Sequence, residues 1–198
     1  MCLIVNIYIW EVTCHKLSSI ILSSISNSLS ISMNTLFYFS YGSNMSLRRL
    51  RQRISDVQMI DIGRLEKHKL EFHKKSNDGS GKCDAYYVGN PGDSVCGVVF
   101  EITTSQLLLL DKYEGLGNGY EQKSVQIITQ NSGSVCAVTY YATEIDSSVK
   151  PYCWYKEHVL QGASEHKLPT DYIKKIKNIN AVPDPDIKRH QQELIIYQ

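Results

Sequence analysis

The sequence lacks several features that would place it directly in a functional class. It contains no Cys-x-x-Cys pair, although six cysteines are spread along its 198 residues, so neither a zinc ribbon nor a redox dithiol is indicated. It has no long basic block, and its formal net charge is only +1, which argues against a nucleic-acid partner. Its longest apolar runs fall short of the ~20 residues that a membrane span needs, so we expect no membrane association.

The composition is that of a globular protein with a sizeable core. Hydrophobic residues make up 42% of the chain and charged residues 21%, which suits one domain rather than a disordered or fibrous protein. Widely spaced cysteines in a chain of this length are expected to be reduced and to serve in packing. We therefore predict a cytoplasmic protein that acts on a small molecule.

The first 32 residues differ from the rest of the sequence. An apolar patch at 3–10 is followed by a serine-rich stretch at 18–32, and no lysine or arginine precedes the patch as an export signal would require. We interpret residues 1–32 as a leader or a start-site artefact outside the fold, with Met33 as the natural start. A folded domain is predicted over residues 33–180, and a polar C-terminal tail over 181–198.

The apolar pattern alternates between strand-like and helix-like segments. Strands are predicted at 36–40, 57–65, 69–73, 85–88 and 95–102, and a β-hairpin at 121–129 and 134–141. Helices are predicted at 45–54, 106–114, 153–161 and 169–178, with Thr104 or Ser105 as the cap of the second. The mixture indicates an α+β domain whose sheet curls around a small pocket.

The turn Tyr41-Gly42-Ser43-Asn44 joins the first strand to the first helix. Free backbone N–H groups at such a turn, together with the positive end of the helix, favour an anion such as a carboxylate. The same tetrapeptide is also ordinary turn chemistry, so the motif alone leaves both interpretations open. The arginines that follow, at positions 48, 49, 51 and 53, are interpreted as a solvated helix face.

Glu114 stands in the last turn of the second predicted helix, directly before Gly115. A negative charge there faces the negative end of the helix dipole, which is unfavourable for the helix. Either the residue has a chemical role or it is a solvated glutamate before a glycine cap. The residue pattern alone does not decide between them.

Three segments occur in the order, and roughly the spacing, of a known family: Tyr38-Phe39-Ser40-Tyr41-Gly42-Ser43-Asn44, Gly97-Val98-Val99-Phe100 and Leu110-Asp111-Lys112-Tyr113-Glu114-Gly115. From about Leu36 to about Ile179 the chain resembles the γ-glutamylcyclotransferases. The resemblance implies a small, mixed, closed β-barrel with flanking helices, and it makes residues 33–180 the catalytic domain.

The resemblance also implies an activity. Such an enzyme cyclises γ-glutamyl amino acids to 5-oxoproline and releases the amino acid, as part of glutathione metabolism. The substrate's own α-amine is the nucleophile, so no cofactor is required. The expected partner is a small γ-glutamyl substrate, and the resemblance also allows a homodimer.

Residue roles carry over onto the matching positions. Glu114 is expected to be the general base and acid, with partial burial raising its pKa above the usual ~4.3. The expected substrate-contacting residues are Tyr38, Phe39, Ser40, Tyr41, Gly42, Ser43, Asn44 and Tyr155. Two alternatives stay open within this set: a packing role for Tyr155, and a role for Asn44 in orienting the loop.

Two other functions are alternatives to the cyclisation of γ-glutamyl amino acids. Sister cyclotransferases that act on glutathione or on γ-glutamyl amines usually end the first turn in leucine, whereas this chain has Asn44, which favours γ-glutamyl amino acids. A non-catalytic, ligand-binding member of the superfamily is the second alternative. Glu114 argues against it, because a carboxylate beside a carboxylate-binding turn does not help binding.

Overall fold

The computed structural model describes residues 34–198, so the predictions for residues 1–32 and for the start at Met33 lie outside the described residues. The strands are β1 (Thr35–Ser40), β2 (Gln58–Glu66), β3 (His68–Lys75), β4 (Gly81–Tyr87), β5 (Ser94–Thr103), β6 (Tyr120–Thr129) and β7 (Ser134–Ala142). The α-helices are α1 (Leu47–Arg53), α2 (Thr104–Glu114), α3 (Cys153–Glu165), α4 (Thr170–Lys177) and α5 (Ile187–Leu194). Short 3₁₀ turns cover Ser43–Met45 and Ile195–Tyr197.

A closed barrel with the strand order β1-β5-β2-β6-β7 holds the core. Neighbouring strands are antiparallel except β1 and β7, which meet in parallel at Tyr38 and Val138 and close the barrel. The predicted α+β fold with a mixed closed barrel is therefore confirmed. β5 lies between β1 and β2, and its residues Val98, Val99 and Phe100 are fully buried, as expected for a central strand.

Strands β3 and β4 form a separate two-stranded sheet. This sheet is tied to the barrel through Cys83 of β4, whose carbonyl accepts a hydrogen bond of 2.5 Å from the hydroxyl of Tyr120 at the start of β6. The other end of Cys83 is held by helix α3, because its N–H donates to the hydroxyl of Tyr155 at 3.0 Å. The sheet, the barrel and α3 therefore meet at one residue.

Two predicted helix starts are wrong by a few residues. The expected helix 45–54 is split, because a 3₁₀ turn at Ser43–Met45 precedes α1 and Ser46 is the N-cap of α1. Helix α2 begins two residues earlier than predicted, and its cap is Thr103 rather than Thr104 or Ser105. Thr103 forms a capping box with Gln106, in which each side chain bonds the other residue's backbone N–H.

The C-terminal segment, for which the sequence predicted no element, contains helix α5 and the turn Ile195–Tyr197. Asp186 caps α5 by accepting a hydrogen bond from the N–H of Arg189 at 3.0 Å.

Within residues 34–198, no helix is long and apolar enough to cross a membrane. The described cysteines are free, at positions 83, 96, 136 and 153.

Candidate active site

A small cavity of about 30 Å³ lies where β1 ends and the Tyr41-Gly42-Ser43-Asn44 turn begins. Its lining includes all the residues that the sequence singled out: Tyr38, Phe39, Ser40, Tyr41, Gly42, Ser43, Asn44, Glu114 and Tyr155. It also includes Cys83, Tyr120, Thr139 and Tyr140, which the sequence reasoning did not name. Tyr38 of β1 and Glu114 of α2 are 76 positions apart in the sequence, and the fold brings them to the same cavity.

The turn itself is built for close approach. Gly42 has φ −111°, outside the left-handed region, so its requirement for glycine comes from its neighbours. A Cβ atom at Gly42 would lie 3.2 Å from Cβ of Cys83 and 3.5 Å from the hydroxyl of Tyr155. Among the described residues, no acceptor bonds the N–H groups of Gly42 and Ser43. These donors are therefore available to an anion, although they precede a 3₁₀ turn and not the α-helix that was expected.

Glu114 is the last residue of α2, and Gly115 ends the helix in the left-handed conformation with φ 70°. Its side chain is 17% exposed and points to the turn. One carboxylate oxygen, Oε1, accepts a hydrogen bond from Nδ2 of Asn44 at 2.8 Å. The same oxygen pairs with Nη1 of Arg53 at 2.5 Å.

This arrangement treats the two oxygens of Glu114 differently. Oε1 is held by two donors, whereas no described residue donates to Oε2. The Arg53 guanidinium makes a charge-assisted contact to Oε1, which fixes the orientation of the carboxylate. Glu114 is also the one carboxylate among the lining residues. The geometry therefore provides a fixed base with one free oxygen.

Asn44 connects the turn to this base. Its Nδ2 donates to Glu114 and also to the hydroxyl of Tyr38, at 3.0 Å. Its Oδ1 is buried and has no hydrogen-bond partner among the described residues. A buried acceptor without a partner is costly, so it is suited to an N–H group of a bound ligand.

Tyrosines form the polar frame of the cavity. The hydroxyl of Tyr41 donates to the carbonyl of Tyr140 at 2.6 Å, and the hydroxyl of Tyr155 accepts from Cys83 as described above. Burial raises the pKa of Tyr38, and the negative charge of Glu114 raises it further. Burial likewise raises the pKa of Tyr155. These phenols therefore stay protonated, and they can serve as hydrogen-bond donors but not as bases.

Arg53 shows where the sequence interpretation failed. Arg49 and Arg53 were assigned to a solvated face, but their side chains are only 11% and 15% exposed, and each is in an ion pair. The signal was present in the spacing, since Arg49 and Arg53 are four residues apart and so share one side of a helix. Arg51, which lies on another side, is exposed as predicted.

The chain was compared with known proteins. A γ-glutamylcyclotransferase of Bos taurus is 33% identical over 153 residues, which cover 73% of this chain and 79% of the bovine protein. The chain belongs to the γ-glutamylcyclotransferase family. The γ-glutamylcyclotransferase of Homo sapiens is 32% identical over the same share of both chains. A family model described as the AIG2-like family matches residues 94–176.

A solved structure of a γ-glutamyl cyclotransferase has the same fold. It is 30% identical, its TM-score is 0.70, and the match covers 75% of this chain and 90% of the other. The match extends over most of both chains, so the two proteins share the fold of the domain and not a single motif.

Proposed function

We propose that the protein cyclises γ-glutamyl amino acids to 5-oxoproline and releases the free amino acid. The observation that carries the proposal is the Glu114 carboxylate, fixed through one oxygen and free at the other, beside a turn with unused N–H donors. A cyclotransferase needs such a pair of groups: one to bind the anionic end of the substrate and one to move a proton.

The turn supplies the first group. The N–H groups of Gly42 and Ser43 are suited to the α-carboxylate of the glutamyl unit or to the oxyanion that forms on its γ-carbonyl. Oδ1 of Asn44 is suited to accept from the substrate's α-ammonium or amide N–H. Because the nucleophile is part of the substrate, positioning alone supplies an effective molarity on the order of 10⁵ M or more.

Glu114 supplies the second group. Its free oxygen takes a proton from the α-ammonium, and the neutral amine then attacks the γ-carbonyl carbon. The carbonyl oxygen becomes an oxyanion, and its collapse breaks the amide C–N bond. The proton held by Glu114 goes to the leaving nitrogen, so one carboxylate serves as base and then as acid. The ring nitrogen loses its second proton as the lactam forms, and this proton also passes to the released amine, which departs as an ammonium. The products are 5-oxoproline and a free amino acid, and no co-reactant is consumed.

Asn44 bears on the choice among γ-glutamyl substrates. The sister groups usually have leucine at this position, and leucine has no atom that could donate to Glu114 as Asn44 does. Asn44 therefore supports γ-glutamyl amino acids over glutathione or γ-glutamyl amines. The cytoplasmic location stays a prediction from the composition, and a homodimer stays a prediction from the resemblance.

The test is product release by the purified full chain from γ-glutamyl-alanine and, in parallel, from glutathione. We expect 5-oxoproline and alanine in equal amounts from the dipeptide, and far less 5-oxoproline from glutathione. Release from glutathione alone would instead assign the protein to the glutathione-specific group. No release from either, with measurable binding of γ-glutamyl-alanine, would support the non-catalytic alternative.

A further inference from the structure

Lys74, near the end of β3, has an ammonium group without an assigned function. The residue is only 8% exposed, and its Nζ lies 5.0 Å from the ring centroid of Tyr120, which lines the cavity. Nζ also lies close to Gly119, since a Cβ atom there would be 2.8 Å from it. The Lys74 side chain forms no hydrogen bond or ion pair with any described residue.

A buried ammonium with three unused donors is costly unless an anion or another acceptor reaches it. Burial lowers the pKa of Lys74 by more than the carboxylates of Glu144, Glu114 and Asp78 raise it, so the pKa lies below its usual value. Glu144 is exposed, and Glu114 is committed to Arg53 and Asn44. The structure therefore leaves this cation near the cavity without a dedicated partner.

A γ-glutamyl amino acid carries two carboxylates. The α-carboxylate of the glutamyl unit belongs to the part that becomes 5-oxoproline, and the turn at Gly42 offers donors for it. The second carboxylate is on the leaving amino acid, beyond the amide nitrogen that Glu114 protonates. Among the described residues, the Lys74 ammonium has unused donors and lies beside the pocket residue Tyr120, so it is suited to this second carboxylate.

We propose that Lys74 binds the carboxylate of the leaving amino acid and so selects γ-glutamyl amino acids over γ-glutamyl amines. The inference rests on the proposed function. It concerns a specificity residue at the leaving-group side, and Lys74 takes no part in the proton transfer.

The test compares γ-glutamyl-alanine with γ-glutamyl-alaninamide, which differ only in whether the leaving group carries a charged carboxylate. For the wild type, kcat/KM should be about tenfold higher for γ-glutamyl-alanine, since hydrogen bonds to charged groups are among the stronger ones. Lys74→Met should remove this preference, mainly by raising KM for γ-glutamyl-alanine, and should change the alaninamide reaction less than about twofold. Lys75→Met is the matched control, because Lys75 is the next residue of β3 and is exposed.

Equal kcat/KM values of the wild type for the two substrates would overturn the inference and leave the proposed function standing. An equal loss for both substrates in Lys74→Met would also overturn it, because it would show a structural role. Lys74→Gln, which keeps a polar side chain, replaces the Met variant if circular dichroism shows that the latter does not fold. No turnover of either substrate by the wild type would overturn the proposed function, and this inference with it.

Discussion

At the scale of single residues, the site depends on how Glu114 is held. Arg53 and Asn44 both bind Oε1, so they fix the direction in which Oε2 points. The Arg53 guanidinium also lies over the ring of Tyr113, at 5.5 Å from its centroid, which restricts its own movement. Arg53 is therefore a positioning residue for the proposed base.

Replacing Arg53 by methionine should lower kcat about tenfold or more and leave KM nearly unchanged. The variant keeps the length of the side chain but removes the donor and the charge that orient Glu114. Steady-state kinetics with γ-glutamyl-alanine measure the effect. Arg51→Met, on the exposed side of the same helix, should behave as the wild type.

Partial recovery of kcat in Arg53→Lys would support positioning by charge. An Arg53→Met variant with wild-type kcat would show that Asn44 alone is enough to orient Glu114. Glu114 and Asn44 could be identified from sequence motifs. The ion pair between Arg53 and Glu114 could not, because these residues are 61 positions apart and meet only in the folded domain.

At the scale of elements, helix α5 is held to the domain by ionic and polar contacts. Glu193 of α5 pairs with Nη1 of Arg49 at 2.5 Å and contacts Nε2 of His158 at 3.0 Å. The ring of His158, which is fully buried, also reaches the hydroxyl of Tyr197 through Nδ1 at 2.8 Å. These contacts join the C-terminal segment to α1 and α3.

These groups make stability depend on pH. Burial lowers the pKa of His158 from its usual 6.5, so the folded state binds fewer protons than the unfolded state below about pH 6.5. Burial raises the pKa of Glu193, but His158 and Arg49 outweigh it and lower the pKa from 4.5 to about 2. The stability that Glu193 contributes is present above about pH 4.5 and is lost as the pH falls towards about 2. Both groups therefore favour unfolding in acid.

We predict that the melting temperature falls by a few degrees between pH 8 and pH 5.5, because His158 must be protonated on unfolding. His158→Gln should reduce this fall. Burial also lowers the pKa of His68, so His68 contributes to the remainder. Scanning calorimetry at both pH values measures the effect, with His190→Gln on α5 as the control. An unchanged pH dependence in His158→Gln would contradict the assignment.

The sequence did not predict α5 because its contacts are not of the kind that periodicity reveals. The helix has no buried residue, and its eight residues include two aliphatic ones, Ile187 and Leu194, which are too few for a clear periodic signal. Its stabilising partners, Arg49 and His158, lie far away in sequence. By contrast, the hairpin of β6 and β7 and the strand β5 were predicted correctly, because alternation, turn residues and a continuous apolar run are local signals.

At the scale of the whole molecule, the barrel closes tightly around small residues. Gly97 on β5 pairs with Gly63 on β2. A Cβ atom at Gly97 would lie 2.3 Å from the carbonyl oxygen of Ser40 and 2.7 Å from Cζ of Phe39. Ser40 and Phe39 belong to the end of β1 that borders the cavity, so the packing of the barrel determines the position of the site.

Gly97→Val should destabilise the fold by about 3 kcal/mol or more, because the neighbours of the new side chain include backbone that cannot move aside cheaply. Activity should fall as well, since β1 must shift. Urea unfolding and turnover of γ-glutamyl-alanine measure the two effects. Cys96→Val, the same new residue one position earlier and partly exposed, should cost less than about 1 kcal/mol. Equal stabilities of the two variants would show that the barrel relaxes at Gly97.

The family motifs were enough to predict the fold class and the principal lining residues, since a strand-turn and a helix end specify local structure. They did not reveal Cys83, Tyr120 or Tyr140, which reach the cavity from β4, β6 and β7. No local signal distinguishes these residues from ordinary strand residues. They become part of the site only through the register of the closed barrel and through the contact of the β3–β4 sheet with α3.

The most direct test of the account is turnover by Glu114→Gln. The variant keeps the shape of the side chain but cannot carry the proton, so kcat for 5-oxoproline release from γ-glutamyl-alanine should fall at least about 100-fold. The Kd of γ-glutamyl-alanine from calorimetry should stay within a few-fold of the wild type, and Glu121→Gln on the exposed face of β6 should retain full activity. Turnover by Glu114→Gln at the wild-type rate would contradict the role of Glu114 as the base and acid.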